Sequence, residues 1–307
     1  MEKPGFILSA PPGQRKAIIE AAQELDRREF PHVLCPHEYA RPHDAQAPYD
    51  CLSLCTALAQ ATQAIQIVSG VAVTYTRPPA DMAAAASFNY EISDGRFMLG
   101  LGSGYKTVLE RFGIKTEQPI PHMRRYLEEL RAAATEQPLP PILIAALRRR
   151  MAALAGEQAD GLIGGNWALS HVPATLANIP ADQRDRLIIA NVAPVYLCDD
   201  RAEGLAFMRR LCAAFSRIPT YAAYFSEAGY QEEVERVQAA FAAGTSQAAD
   251  AISERMADDI GIFGSPHDIR ERVEAWRAAG VNWLTLSTLY PIRDRAAAVL
   301  RVAAVFD

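Results

Sequence analysis

The chain has 307 residues, half of them hydrophobic, and carries 36 acidic against 31 basic side chains for a net charge of −5. That length buries a large core, and its scattered basic residues, with Arg148–Arg150 the one tight run, exclude the concentrated basic face of a nucleic-acid binder. No apolar run is long enough for a membrane span, Met1–Gly5 is charged and proline-bearing rather than an apolar signal core, and the five cysteines (Cys35, Cys51, Cys55, Cys198, Cys212) form no CxxC pair, so a reduced, cytoplasmic protein is expected.

Short apolar runs alternate with helical patterns from end to end. Gly5–Ser9 reads as a first strand and Gly13–Arg28 as a helix rich in Ala, Ile and Leu. His32–Cys35 is the second strand, followed by a helix at Cys51–Gln63. Ile65–Val73 is the third strand, with a helix at Ala80–Tyr90. Phe97–Leu101 is the fourth, with a helix at Met123–Ala134. Ile142–Ala145 is the fifth, with a helix at Met151–Ala159. Gly161–Gly164 is the sixth strand, Leu187–Leu197 the seventh and Trp283–Ser287 the eighth, and Asp294–Val305 closes the chain as a helix. In Gly264-Ser265-Pro266-His267-Asp268, Ser265 is placed as an N-cap, Pro266 as the first helical residue and Asp268 three after the cap. That helix runs to Ala279 and stops at Gly280. Its N-terminus could also receive a phosphate.

Apolar strands alternating with helices predict a parallel sheet buried on both faces, and eight of them predict closure. The expected fold is α/β, a (β/α)8 TIM barrel in one domain spanning 1–307. Arg201–Phe263 breaks the rhythm as a largely helical excursion after strand seven, with no strand expected in it. Loops after strand C-termini face the active-site side of such barrels, so the excursion is a lid or pocket wall, or else a packing and dimerisation element.

Gly100, Gly102 and Gly104 follow strand four, where glycine lets a backbone approach a flat ring or a phosphate. A dinucleotide fingerprint would need GxGxxG near the first strand and an acid about 20 residues on. Both conditions fail here, with Arg124 at the acid's place. A phosphate-binding Walker loop fails too, because Tyr105 rather than Gly precedes Lys106-Thr107. The metal motif HExxH does not form from His37, Glu38 and His43. Cys51 and Cys55 share a helical face, which fits buried core thiols better than a metal site.

Gly95–Gly104 (GRFMLGLGSG) resembles the fourth-strand motif of the bacterial-luciferase-like monooxygenase family. Ile65–Val71, Arg77–Ala80, Glu110–Gly113, Pro141–Ala146, Ala159–Gly161, Gly264–Pro266 and Ala279–Val281 resemble further family segments in the same order, so the likeness spans nearly the whole chain. The resemblance implies a TIM-like barrel that binds FMN or coenzyme F420 at the C-terminal ends of its strands, acts on a small-molecule substrate and forms a homodimer. It implies a non-proline cis peptide at the end of strand three, matched by Gly70-Val71, beside the backbone platform of Gly102, Ser103 and Gly104. It places an acid and then a histidine after strand two. Here Pro36-His37-Glu38-Tyr39 has them reversed, and the pair His37 and Glu38 is the catalytic candidate. Tyr105 stands where some deazaflavin dehydrogenases of the family carry a proton-transferring glutamate. The cofactor phosphate is expected near Gly164, Gly165 and Asn166, whose amides could cradle an anion, and near Arg148 and Arg149. Tyr221, Tyr224 and Phe225 form an aromatic face in the excursion, and His122 reads as a loop residue. Three readings follow: hydride transfer between F420 and a small organic substrate, a reduced-FMN monooxygenase acting with oxygen, or a non-catalytic flavin-binding barrel.

Overall fold

The computed structural model describes residues 2–38, 49–134, 138–245, 247–288 and 294–307. Tyr39 and His43 lie outside the described residues. The strands are β1 (Gly5–Ile7), β2 (His32–Cys35), β3 (Gln66–Ser69), β4 (Ala72–Val73), β5 (Phe97–Gly102), β6 (Ile142–Ala145), β7 (Gly161–Gly165), β8 (Ile188–Leu197), β9 (Ile262–Gly264) and β10 (Trp283–Ser287). Parallel pairing runs β10-β1-β2-β3-β5-β6-β7-β8, and β8 pairs back onto β10, closing an eight-stranded barrel. The barrel is filled, not hollow. Ile7, Leu34, Val68, Met98, Leu143, Ile163 and Ala190 give one buried side chain from each of seven barrel strands, and Trp283 of β10 packs against them.

The surrounding helices bury one stripe each. In Arg15–Arg27 the buried residues are Ile18, Ala21, Ala22 and Leu25, the i, i+3, i+4, i+7 face of a helix. The helix Pro266–Ala278 starts with the expected capping box: Ser265 Oγ accepts from Asp268 N at 3.3 Å, and Asp268 Oδ2 accepts from Ser265 N at 2.8 Å.

Four expectations change. The third strand is not continuous: it breaks after Ser69, and β4 resumes pairing as Ala72 with Leu101 and Val73 with Gly102. At the break, Ser69 Oγ accepts from Gly100 N at 2.9 Å and donates to Gly100 O at 3.0 Å, so a side chain satisfies both backbone groups where the ladder stops. A further helix, Lys106–Arg111, lies between β5 and the helix expected at Met123–Ala134. The excursion ends in a strand, because Ile262 and Phe263 open β9, which pairs with the outer half of β8. His122 is helical, within Pro119–Ala133, and 8% exposed rather than in a loop.

Candidate functional site

A cavity of about 1170 Å³ opens at the C-terminal ends of the barrel strands. All eight contribute, from Ile7 at the end of β1 round to Ser287 at the end of β10. The twelve residues expected to act in catalysis or cofactor binding all line it: His37, Glu38, Gly70, Val71, Gly102, Ser103, Gly104, Arg148, Arg149, Gly164, Gly165 and Asn166. The N-terminus of the helix Pro266–Ala278 is not among the described residues that line this cavity.

The floor is built by glycine. The Gly70–Val71 peptide bond is cis, as the resemblance implies. A Cβ on Gly102 would come within 2.4 Å of Val71 Cγ2 and 3.2 Å of Ala145 Cβ. Only glycine at 102 lets Val71 lie across β5, which leaves a low apolar platform of Val71, Gly102 and Ala145. Ligand pockets commonly span about 300–1,000 Å³. This cavity, at about 1170 Å³, exceeds that range.

On the β2 side, consecutive residues have different surroundings. Glu38 Oε1 accepts from Ser9 Oγ at 3.0 Å and lies 3.6 Å from Arg295 Nη1, and Arg295 also donates to Ser9. Its charge is compensated by a fixed pair. His37 is half-buried, and burial lowers its pKa below the usual value against the opposing pull of Asp50 and Glu38. Its ligand atoms come within 4.8 Å of those of Asp50 and Cys51. Both Asp50 oxygens are already committed: Oδ2 accepts from Ser53 N at 3.0 Å as the N-cap of the helix Cys51–Ala61, and Oδ1 from Arg77 at 3.1 Å. Burial pushes the Cys51 thiol well above its ordinary range, so it is a neutral core group.

On the β6–β7 side, Arg148, Arg149 and Arg150 are exposed at the cavity rim. Arg148 is forked onto Glu227 of the excursion, with Nε 3.1 Å from each carboxylate oxygen, and that pairing lowers the Glu227 pKa. Asn166 holds a left-handed φ of 51° at the end of β7, and its own N–H donates to Val192 O at 2.8 Å. The Asn166 amide is therefore spent on the barrel ladder and is not free to cradle an anion, contrary to the expectation from the sequence, and Arg149 and Arg150 are the positive charges on that side of the cavity.

The aromatic face of the excursion divides. Tyr221 lines the cavity, whereas Tyr224 and Phe225 are fully buried, with Tyr224 Oη accepting from Ala168 N at 3.0 Å. Trp167 is core, packed under Gly164, and Glu110 pairs with Lys106 at 3.7 Å on the surface. The sequence reading missed Glu227, Ser9 and Arg295, which meet the site only through the fold. It also missed Arg150, which the basic run Arg148–Arg150 already displayed.

The family model described as luciferase-like monooxygenase matches residues 4–282. A 5,10-methylenetetrahydromethanopterin reductase of Archaeoglobus fulgidus is 29% identical over 265 residues, covering 75% of this chain and 79% of its own. Among solved structures, the coenzyme F420 dependent tetrahydromethanopterin reductase from Methanopyrus kandleri superposes with a TM-score of 0.75 at 17% identity, over 98% of this chain and 97% of that one. The oxygenating constituent of 3,6-diketocamphane monooxygenase from Pseudomonas putida, in complex with FMN, gives 0.70 at 18% identity, over 100% and 97%. At those identities the two structures speak to the fold, and the match over 4–282 speaks to descent: the chain belongs to the luciferase-like monooxygenase family of oxidoreductases.

Proposed function

We propose that this chain is a coenzyme F420-dependent oxidoreductase that moves a hydride between the deazaflavin and a small organic substrate. The observation that carries the reading is the apolar platform of Val71, Gly102 and Ala145 beside an arginine-bearing rim, in a cavity of about 1170 Å³. The named activity of the Archaeoglobus relative supports a reductase. When bound, the deazaflavin supplies a ring carbon that gives or takes hydride.

The chain's residues do the rest. Val71 and Gly102 seat the ring, and Gly104 and Ser103 bound its edge. Gly164 and Gly165 with Arg148, Arg149 and Arg150 hold the acidic tail. His37 is neutral near pH 7 and takes the hydroxyl proton of an alcohol as hydride leaves its carbon, or returns that proton in the reverse direction. Glu38, fixed by Ser9 and Arg295, contributes its field rather than a proton. The excursion roofs the cavity within a single domain, supported by Tyr221 and Glu227 on the lining. The free, buried cysteines support a cytoplasmic setting, and no described helix is long and apolar enough to cross a membrane.

A second reading, a reduced-FMN monooxygenase, is favoured by Tyr105 in the place of a proton-transferring acid. Titration with F420 and with reduced FMN, followed by absorbance and fluorescence, separates the two. Selective F420 binding is expected, and selective FMN binding overturns the proposal. Sedimentation velocity tests the homodimer that goes with it.

A further inference from the structure

The excursion does more than close the cavity: it brings an aromatic wall to it. Phe215 and Tyr221 have ring centroids 4.7 Å apart, and Tyr221 lies 6.4 Å from Tyr105, which follows the glycines of β5. The three rings form one surface that crosses from the excursion to the barrel. Tyr221 is 7% exposed, and its hydroxyl oxygen stands 3.0 Å from where a Cβ on Gly165 would sit, so the ring spans the mouth as far as β7. Phe112 and Ile120 extend the apolar lining on the β5 side.

The charges are placed differently. Among the described lining residues, Glu38 is held by Arg295 and Arg148 by Glu227. Arg149 and Arg150 are given to the cofactor's acidic tail by the proposed function, and Arg111 is exposed, where a single ion pair with a substrate would be screened and weak. An ionised group carried in against the aromatic wall would lose its water without a buried partner to replace it. An apolar face laid on those rings gains contact area and favourable ring packing.

We infer that the substrate of this cavity is a neutral molecule with a flat, apolar body, that the wall of Phe215, Tyr221 and Tyr105 binds that body, and that Tyr221 is its specificity-determining residue. The inference rests on the proposed function for the location of the substrate beside the ring. The ring of Tyr221, not its hydroxyl, carries the selection.

Acetophenone and benzoate are matched probes, similar in size and differing in charge. Isothermal titration of the full chain with each, with and without F420, is expected to show acetophenone binding at least tenfold tighter than benzoate. Tyr221→Ala should weaken acetophenone at least tenfold, and Tyr221→Phe should restore it to within about threefold, an aromatic ring being what a planar ligand needs. Because Tyr221 also packs in the core, Tyr105→Ala is the second variant, and it should weaken acetophenone severalfold with the F420 affinity unchanged. Benzoate binding as tightly as acetophenone, or unaltered acetophenone affinity in either alanine variant, overturns the inference. F420 binding with benzoate preferred removes the inference and leaves the proposed function standing. Acetophenone preference without F420 binding does the reverse.

Discussion

Two histidines five positions apart, His32 and His37, sit at opposite ends of β2 and its continuation. Burial lowers the pKa of both. His32 is at the N-terminal end, 2% exposed, stacked on Trp283 at 4.4 Å and hydrogen-bonded through Nε2 to Thr285 Oγ1 at 2.8 Å. A Cβ on Gly5 would come within 2.2 Å of its ring, so that end of the barrel is closed by packing. His37 is at the C-terminal end, half-buried, facing a cavity. The same residue type is a plug at one end and, in the proposed function, the proton carrier at the other. A low pKa alone does not mark a functional histidine; the space in front of it does.

The sharpest way to break this contrast is to remove each ring in turn. His37→Gln should lower turnover by about 10²–10⁴-fold, the usual worth of a positioned acid or base, with little change in melting temperature. Steady-state kinetics with F420 beside a thermal melt checks both halves. Turnover within threefold of the parent would take the proton-transfer role away from His37.

His32→Ala should do the opposite. It deletes a buried ring, its stack on Trp283 and its hydrogen bond to Thr285, a loss of about 2–4 kcal/mol for a large-to-small core change. Denaturant unfolding reads the loss, and turnover per folded molecule should be unchanged. A turnover defect without a stability defect would reverse the assignment of the two ends.

Acid separates the histidines again. The pKa of His32 is pushed down to about 3 in the fold, from 6.5 in water. Between those values the unfolded chain binds the proton that the folded chain refuses. The stabilising contribution is therefore complete above pH 6.5 and is lost as pH falls toward 3. From pH 6.5 to pH 5 the loss is about 2 kcal/mol, at 1.36 kcal/mol per unit. Unfolding free energies of the parent and His32→Phe across that range should converge toward low pH. Parallel curves would mean that the fold leaves the His32 pKa where it is in water.

Much of this architecture is legible in the chain because a buried parallel strand writes itself as a continuous apolar run, as Ile142–Ala145 and Trp283–Ser287 do. β9 escapes because three residues, Ile262–Gly264, are too short to show a pattern. His122 escapes because Pro119 and Pro121 suggest a loop, although proline is well tolerated in a helix's first turn, where they lie. The cavity-lining residues on strand ends were legible because the glycines and the His37-Glu38 pair are local features that the family resemblance picks out. Their partners were not: Glu227 is 79 positions from Arg148, and Arg295 is 286 from Ser9. No periodicity carries a contact over such separations.

The smallest effect concerns the arginine rim, which sharpens the contrast by asking whether charge at the open end acts on the ligand or on the fold. Arg148 is expected to contact the cofactor's acidic tail, yet it is already held by Glu227. Any anion that reaches Arg148 competes with that carboxylate, so the guanidinium is worth less to the ligand than a free one. Arg148→Ala should still weaken F420 binding about tenfold, or about 1.4 kcal/mol, at low salt, with the difference shrinking as salt rises. Glu227→Gln keeps the shape and removes the competing charge, so it should tighten F420 severalfold. Both pair members are partly exposed, at 49% and 33%, so neither change should move the melting temperature much. Fluorescence titration of the two variants decides the matter. Weakening by both would make the pair a strap that holds the excursion in place, and opposite signs would make Arg148 a ligand of the tail.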